Sequence, residues 1–173
     1  MTIFVDMDEV LADTYQAHID FYNQEHNTRF SASDCNGKEF WQMVPEAHRK
    51  SVRQHAYQIG FFKDLAVIKD SQEVMKALSD KHEVYIASAA MQFPNSLKEK
   101  SEWLDEFFPF IPWQQRILCG HKHILKGEVL IDDRSYNLQN FEGKGLLFAS
   151  PHNSNTKGFN RVASWKEIAT ILL

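Results

Sequence analysis

Two carboxylates stand two residues apart near the start of the chain, in Asp6-Met7-Asp8, and a second acidic pair, Asp132-Asp133, stands far downstream. Like charges this close repel, so both members of a pair stay ionised cheaply only beside a cation. A hard divalent ion with oxygen ligands, most simply Mg²⁺, supplies one. Asp-x-Asp alone says little, because most such pairs sit in solvated turns. The setting says more. Thr2-Ile3-Phe4-Val5 precedes the first pair and Val129-Leu130-Ile131 the second, and both runs have the short apolar pattern of a buried strand. In an open α/β sheet, ligands bind beyond the carboxyl ends of the strands. Two acidic strand ends can therefore share one ion if their strands are neighbours.

Two further residues fit the same chemistry. Ser88 ends the apolar run Glu83-Val84-Tyr85-Ile86-Ala87, and Lys100 falls early in the helix that follows. A carboxylate can act as nucleophile and form an aspartyl-phosphate. A second acid can protonate the leaving oxygen, while a metal neutralises the phosphate and aligns it for in-line attack. A hydroxyl and an ammonium can hold the remaining phosphate oxygens. Taken singly, Ser88 reads equally well as a strand-end turn, and Lys100 as a solvated helix face.

The elements that must position these groups alternate. The spacing of Tyr15, Ile19 and Tyr22 predicts a helix from Asp13-Thr14 to about His26, with Thr14 as its cap. Residues 28 to 44 are irregular, with turn signals at Ser33-Asp34 and Asn36-Gly37. Phe40-Trp41 lies among them, and two large aromatics in a polar loop make either a small core or a platform for a flat ligand. Pro45 opens a helix that Val52, Ala56 and Ile59 extend to about residue 59, where Gly60 stops it. Asp70-Ser71-Gln72-Glu73 is a capping-box-like start to the next helix. Strands follow at 83–87, 116–119, 129–131 and 146–148. Asn95 caps the helix carrying Lys100, and Ser164-Trp165-Lys166-Glu167 opens a last helix. Strands alternating with helices imply an α/β fold: a Rossmann-like parallel sheet of about five strands with helices on both faces. Residues 1–13 and 64–173 form its core, and 14–63 form a small, mostly helical insertion after the first strand.

The chain has 173 residues, enough for one domain with a real core, and its 43% apolar and 24% charged residues are ordinary for a globular protein. Its 13 phenylalanines imply an aromatic-rich core and pocket. A net charge of −4 argues against a nucleic acid polymer as partner, which needs a basic face. No apolar run approaches a membrane span and no signal-peptide pattern opens the sequence. Cys35 and Cys119 are isolated and read as free thiols in a reducing cytoplasm. His121-x-His123 could hold zinc, but such pairs are more often solvated.

In order along the chain, Asp6-Met7-Asp8, Ser88, Lys100 and Leu130-Ile131-Asp132-Asp133 resemble the four motifs of the haloacid dehalogenase (HAD) superfamily of phosphatases, over essentially the whole sequence. A narrower set goes further. Asp6-Met7-Asp8-Glu9-Val10-Leu11-Ala12-Asp13, Phe40-Trp41, Gly60-Phe61-Phe62, Asp132-Asp133-Arg134 and a late Trp165 look like the 5′(3′)-deoxyribonucleotidases. That resemblance implies that residues 14–63 are a cap over the site. It implies Asp6 as nucleophile and Mg²⁺ ligand, and Asp8 as general acid and base that also gives the metal its backbone carbonyl. Asp133, supported by Asp132, would complete the metal site. Ser88 and Lys100 would hold phosphate, and Phe40 and Trp41 would enclose base or sugar. The substrate implied is a (deoxy)ribonucleoside monophosphate. A sugar phosphate, or a non-catalytic nucleotide-binding role on the same scaffold, is the alternative, and a homodimer is left open. Two residues depart from the pattern. Glu9 stands where the superfamily often has Gly, so its side chain must point away from the phosphate or alter the site. Ala87 replaces a Thr common before Ser88.

Overall fold

The computed structural model describes Met1–Leu173. Six strands form one sheet: β1 (Thr2–Val5), β2 (Glu83–Ser88), β3 (Arg116–Leu118), β4 (Val129–Asp132), β5 (Lys144–Phe148) and β6 (Asn160–Val162). Their order is β3-β2-β1-β4-β5-β6, and every neighbouring pair is parallel. The α/β reading with a parallel sheet is correct, and the sheet gains an edge strand, β6. Its Asn160-Arg161-Val162 is too short and polar to carry a strand pattern.

The order reverses between β1 and β4. A crevice opens at such a switch point, outside the carboxyl ends of the strands. Those two strands carry the two acidic pairs.

Alternation along the strands divides the core. Ile3, Val5, Val129 and Ile131 face one side, where the helices α4 (Ser71–Lys81), α5 (Ser96–Phe107) and α7 (Trp165–Leu172) bury Met75, Leu78, Trp103, Leu104, Trp165 and Ile168. Phe4, Ala87, Leu130 and Leu147 face the other, covered by Leu138 of α6 (Ser135–Gln139). Burying side chains of this size is worth roughly 1.5–3 kcal/mol each before conformational entropy is subtracted.

Between β1 and α4 lies a helical insertion: α1 (Thr14–His26), α2 (Phe40–Met43) and α3 (Arg49–Gln54), with single 3₁₀ turns between and after them. It has its own small core of Tyr15, Ile19, Tyr22, Cys35, Phe40, Val44 and Val52. Ala56, Phe61 and Phe62 instead join the main core. Its two ends run side by side, with Asp13 N–H donating to Ala66 O and Ile68 N–H to Leu11 O.

Three local expectations are corrected. Asp13, not Thr14, caps α1, accepting from Gln16 N–H at 3.0 Å. The helix expected over 45–59 is α-helical only at Arg49–Gln54. Val52 and Ala56 are buried but Ile59 is 92% exposed, so no apolar contact holds a further turn. Asp70 has left-handed backbone (φ 64°), and its carboxylate does not cap α4. No helix is long and apolar enough to cross a membrane, and both cysteines are free thiols.

Candidate active site

The parallel register of β1 and β4 pairs Val5 with Ile131, so Asp6 and Asp132 leave the sheet side by side. One carboxylate oxygen each from Asp6, Asp132 and Asp133 lies within 4.8 Å of the others, and all three residues are buried. The two acidic strand ends thus meet in one place.

Each carboxylate is held differently. Asp6 Oδ1 accepts from its neighbour Met7 N–H at 2.7 Å and faces Lys122 Nζ at 2.7 Å. Asp6 Oδ2 has no protein partner, and the residue borders the cavity described below. Asp132 is tied by Lys122 Nζ (2.6 Å), Arg134 N–H (2.8 Å) and the Asn137 amide. Asp133 Oδ2 meets His152 Nε2 at 2.6 Å and Arg134 Nε at 3.2 Å. Burial pushes the Asp6 carboxyl well above the usual carboxylate range; Lys122 opposes this, while Asp132, Asp133 and Asp8 add to it. Burial would raise Asp133 too, but the His152 hydrogen bond and the Arg134 charge bring it below its ordinary value. Lys122 would be lowered by burial, yet Asp6 and Asp132 raise it.

The three clustered carboxylates face the Lys122 ammonium and the Arg134 guanidinium, but Arg134 is shared with Glu9 and Glu39, so a negative surplus remains. The donors are all oxygen, which suits a hard ion such as Mg²⁺. The residues present therefore fit the metal that the motif implies.

Asp8 lies outside this knot and is partly exposed. Its Oδ1 accepts from Thr14 Oγ1 at 3.0 Å and its Oδ2 from Lys100 Nζ at 2.5 Å. Lys100 Nζ also donates to Ser88 Oγ at 3.0 Å and stands 4.6 Å over the Phe62 ring. The fold therefore brings Ser88 and Lys100 to Asp8, but both are fully buried and neither borders the cavity. Two lysines do border it, Lys50 and Lys122, and of these only Lys122 is buried against the acids. Lys122 carries no signal of its own in His121-Lys122-His123. The available clue is position, since it follows β3 by a few residues and strand ends converge on the site. His121 and His123 flank it, exposed, their rings 5.3 Å apart, and join no metal-capable cluster.

A cavity of about 890 Å³ opens above Asp6 and Asp8, within the roughly 300–1,000 Å³ of small-molecule sites. Phe40 and Trp41 both line it. Their roles divide. Phe40 is buried in the insertion's own core, edge-on to Tyr22 at 5.6 Å and Phe30 at 5.7 Å. Trp41 is more open and carries the Arg53 guanidinium 5.2 Å over its ring.

Glu9 has φ 57°, the left-handed region that favours glycine. Its carboxylate turns to Arg134, with Nη2 at 3.4 Å, and it remains on the cavity wall. Burial raises its carboxyl well above the usual range, and Asp133 adds to that. Arg134 also pairs with Glu39 of the insertion, so one guanidinium straps insertion to sheet.

Trp165 Nε1–H donates to Val10 O at 2.8 Å, so the last helix holds the loop that follows Asp6 and Asp8.

The model of the family described as 5′ nucleotidase, deoxy (pyrimidine), cytosolic type C protein matches residues 1–173. The 5′(3′)-deoxyribonucleotidases of Bacillus subtilis (strain 168) and of Bacillus phage SPbeta are each 39% identical to this chain over 173 residues, covering 99% of it and 98% of theirs. Among solved structures, a haloacid dehalogenase-like family hydrolase from Streptococcus pneumoniae superposes with a TM-score of 0.61 at 12% identity, over 99% of this chain and 98% of the other.

Proposed function

Since the chain belongs to the deoxy (pyrimidine), cytosolic type C 5′ nucleotidase family, we propose that it is a Mg²⁺-dependent phosphomonoesterase of (deoxy)ribonucleoside monophosphates working through an aspartyl-phosphate. The observation that carries this reading is the convergence of Asp6, Asp132 and Asp133 beneath a nucleotide-sized cavity, with Asp6 Oδ2 unengaged at its floor.

In this reading Asp6 Oδ2 attacks phosphorus, and the bond from phosphorus to the nucleoside oxygen breaks. Asp8, protonated, gives its proton to that oxygen. Asp8 then takes a proton from water, whose oxygen attacks phosphorus, releases phosphate and restores Asp6. Mg²⁺, held by Asp6, Asp133 and the Asp8 backbone carbonyl with Asp132 in support, supplies charge neutralisation at the phosphate. Lys122 stands where it can balance charge on Asp6 and on a bound phosphate. Ser88 and Lys100, tied to Asp8, reach the phosphate oxygens if Lys100 swings from its present partner.

Residues 14–63 act as the cap. Trp41 supplies a stacking face for the base, and Phe40 holds that face in place. The substrate is a small nucleotide rather than a polymer, in keeping with the net charge of −4. The two free thiols support a reducing compartment such as the cytoplasm.

A panel of phosphomonoesters assayed with Mg²⁺ tests the proposal. Preference for dUMP or dTMP supports it, and strong preference for a sugar phosphate rejects the nucleotide assignment. Asp6→Asn should reduce turnover by more than about a thousandfold while leaving the thermal transition in place. Near-native activity in that variant would rule out the covalent route.

A further inference from the structure

A pair of histidines in the cap takes no part in the chemistry above. His18 is on α1, one turn after Thr14, and lines the cavity. His55 follows α3 and is fully buried. Their Nδ1 atoms are 3.5 Å apart. The ring planes differ by only 21° while the centroids are 5.6 Å apart. Nearly parallel planes at that separation with nitrogens this close describe two imidazoles edge to edge, sharing one N–H···N bond. Phe61, 4.6 Å from His18, and Phe21, 5.7 Å from His55, wall the pair in apolar surface.

The direction of that bond follows from the outer end of the chain. His55 Nε2 is 3.2 Å from Glu25 Oε2. An ionised carboxylate only accepts, so His55 Nε2 carries a proton. His55 is kept neutral by burial, which lowers its ring against the opposing pull of Glu25. Its Nδ1 is therefore a bare lone pair, and His18 Nδ1–H must donate to it. Burial, and then His55, push the His18 ring down to about 3, so it too is neutral. A neutral ring with its proton on Nδ1 has a bare Nε2. No protein group occupies that atom.

We propose that His18 is a specificity residue whose Nε2 accepts a hydrogen bond from a sugar hydroxyl of the bound nucleotide, with Glu25 and His55 fixing the tautomer that makes it an acceptor. The assignment rests on the nucleotidase reading. Its placement comes from α1. Thr14 Oγ1 bonds Asp8, the group at the leaving oxygen, and His18 stands roughly 5–6 Å further along the same helix face. A sugar ring attached to the leaving oxygen extends along that line, and its remaining hydroxyl is the donor a bare imidazole nitrogen takes. A buried acceptor left unpaired by a substrate lacking that hydroxyl disfavours the substrate.

Two measurements decide the matter. Nitrogen NMR of the histidine rings in substrate-free enzyme at neutral pH, with His18 assigned by its loss in His18→Phe, should show a proton on Nδ1 and none on Nε2. A proton on Nε2 overturns the proposal. The second is the ratio of kcat/KM for a 2′-deoxynucleoside 5′-monophosphate over its 2′,3′-dideoxy counterpart. It should be about tenfold in the unaltered enzyme, the worth of one hydrogen bond. It should fall towards one in His18→Phe and be partly kept in His18→Gln, whose amide oxygen can accept. Glu25→Leu, outside the cavity, should lower the same ratio by releasing the tautomer. A ratio near one in the unaltered enzyme, or an unchanged ratio in His18→Phe, overturns the proposal. Absence of turnover on both nucleotides would instead remove the nucleotidase reading and the sugar contact with it, whatever the ring protons show.

Discussion

Lys122→Met removes an ammonium and keeps most of the side-chain volume. Lys122 Nζ lies 2.7 Å from Asp6 and 2.6 Å from Asp132, and all three side chains are at least nine-tenths buried. Without it, two buried carboxylates lose a shared cation. Breaking a buried pair by deleting one partner costs about 3–5 kcal/mol. In a chain of 173 residues, 1 kcal/mol moves the melting temperature by about 2–4 °C, so a fall of about 6–20 °C is expected in the presence of chelator. Two modulations follow from the geometry. Mg²⁺ neutralises the same carboxylates and should return a large part of the loss. Acidification should as well, and the sign is fixed by Asp6. Its folded-state carboxyl is already raised, and removing Lys122 raises it further. A group raised on folding costs nothing below its unfolded pKa and its full penalty above its folded one. The gap between variant and parent is therefore widest near neutral pH and closes as pH falls. Thermal unfolding followed by circular dichroism, with and without Mg²⁺ at several pH values, measures all three effects. A fall below about 2 °C in chelator, or one indifferent to both Mg²⁺ and pH, would refute the reasoning.

Trp165→Phe keeps the packing of α7 but leaves Val10 O without its donor. Calorimetry should show a loss of about 1–3 kcal/mol, with turnover reduced as the acidic loop loosens, and an unchanged melting temperature would contradict this. Trp41→Ala should raise KM for a nucleotide by about tenfold, since base stacking on an aromatic ring is worth about 1–3 kcal/mol. Hydrolysis of a small phosphoester without a base should change little in that variant, and equal losses on both substrates would show that Trp41 supports the cap rather than the base.

The sheet was readable because its strands are apolar runs ending in chemistry-bearing residues, and parallel strands buried on both faces favour such runs. β6 escaped because an edge strand of three mostly exposed residues carries no such run. The first and fourth motifs were legible as acidic strand ends. Lys122 was not, because a lysine between two exposed histidines looks solvated until the topology folds it between Asp6 and Asp132. Phe40-Trp41 could be weighed as core or platform but not divided between them. Tyr22 and Phe30 claim Phe40 across the insertion, contacts that no local pattern encodes. Glu9 could be flagged against a residue type, but its left-handed backbone and its tie to Arg134 depend on a partner 125 residues away.

The hydrogen bond from Trp165 to Val10 spans 155 residues, and β1 lies between β2 and β4. The chain leaves the ribosome in order, so Asp6 and Asp8 are made before their flanking strands, and the tryptophan that clamps their loop follows Val10 by 155 residues. Until then the two acids sit on an unsupported segment. Pairings of such long separation also slow folding. Closure of the acidic loop accordingly waits on α7, which is made long after the turn onto which it docks.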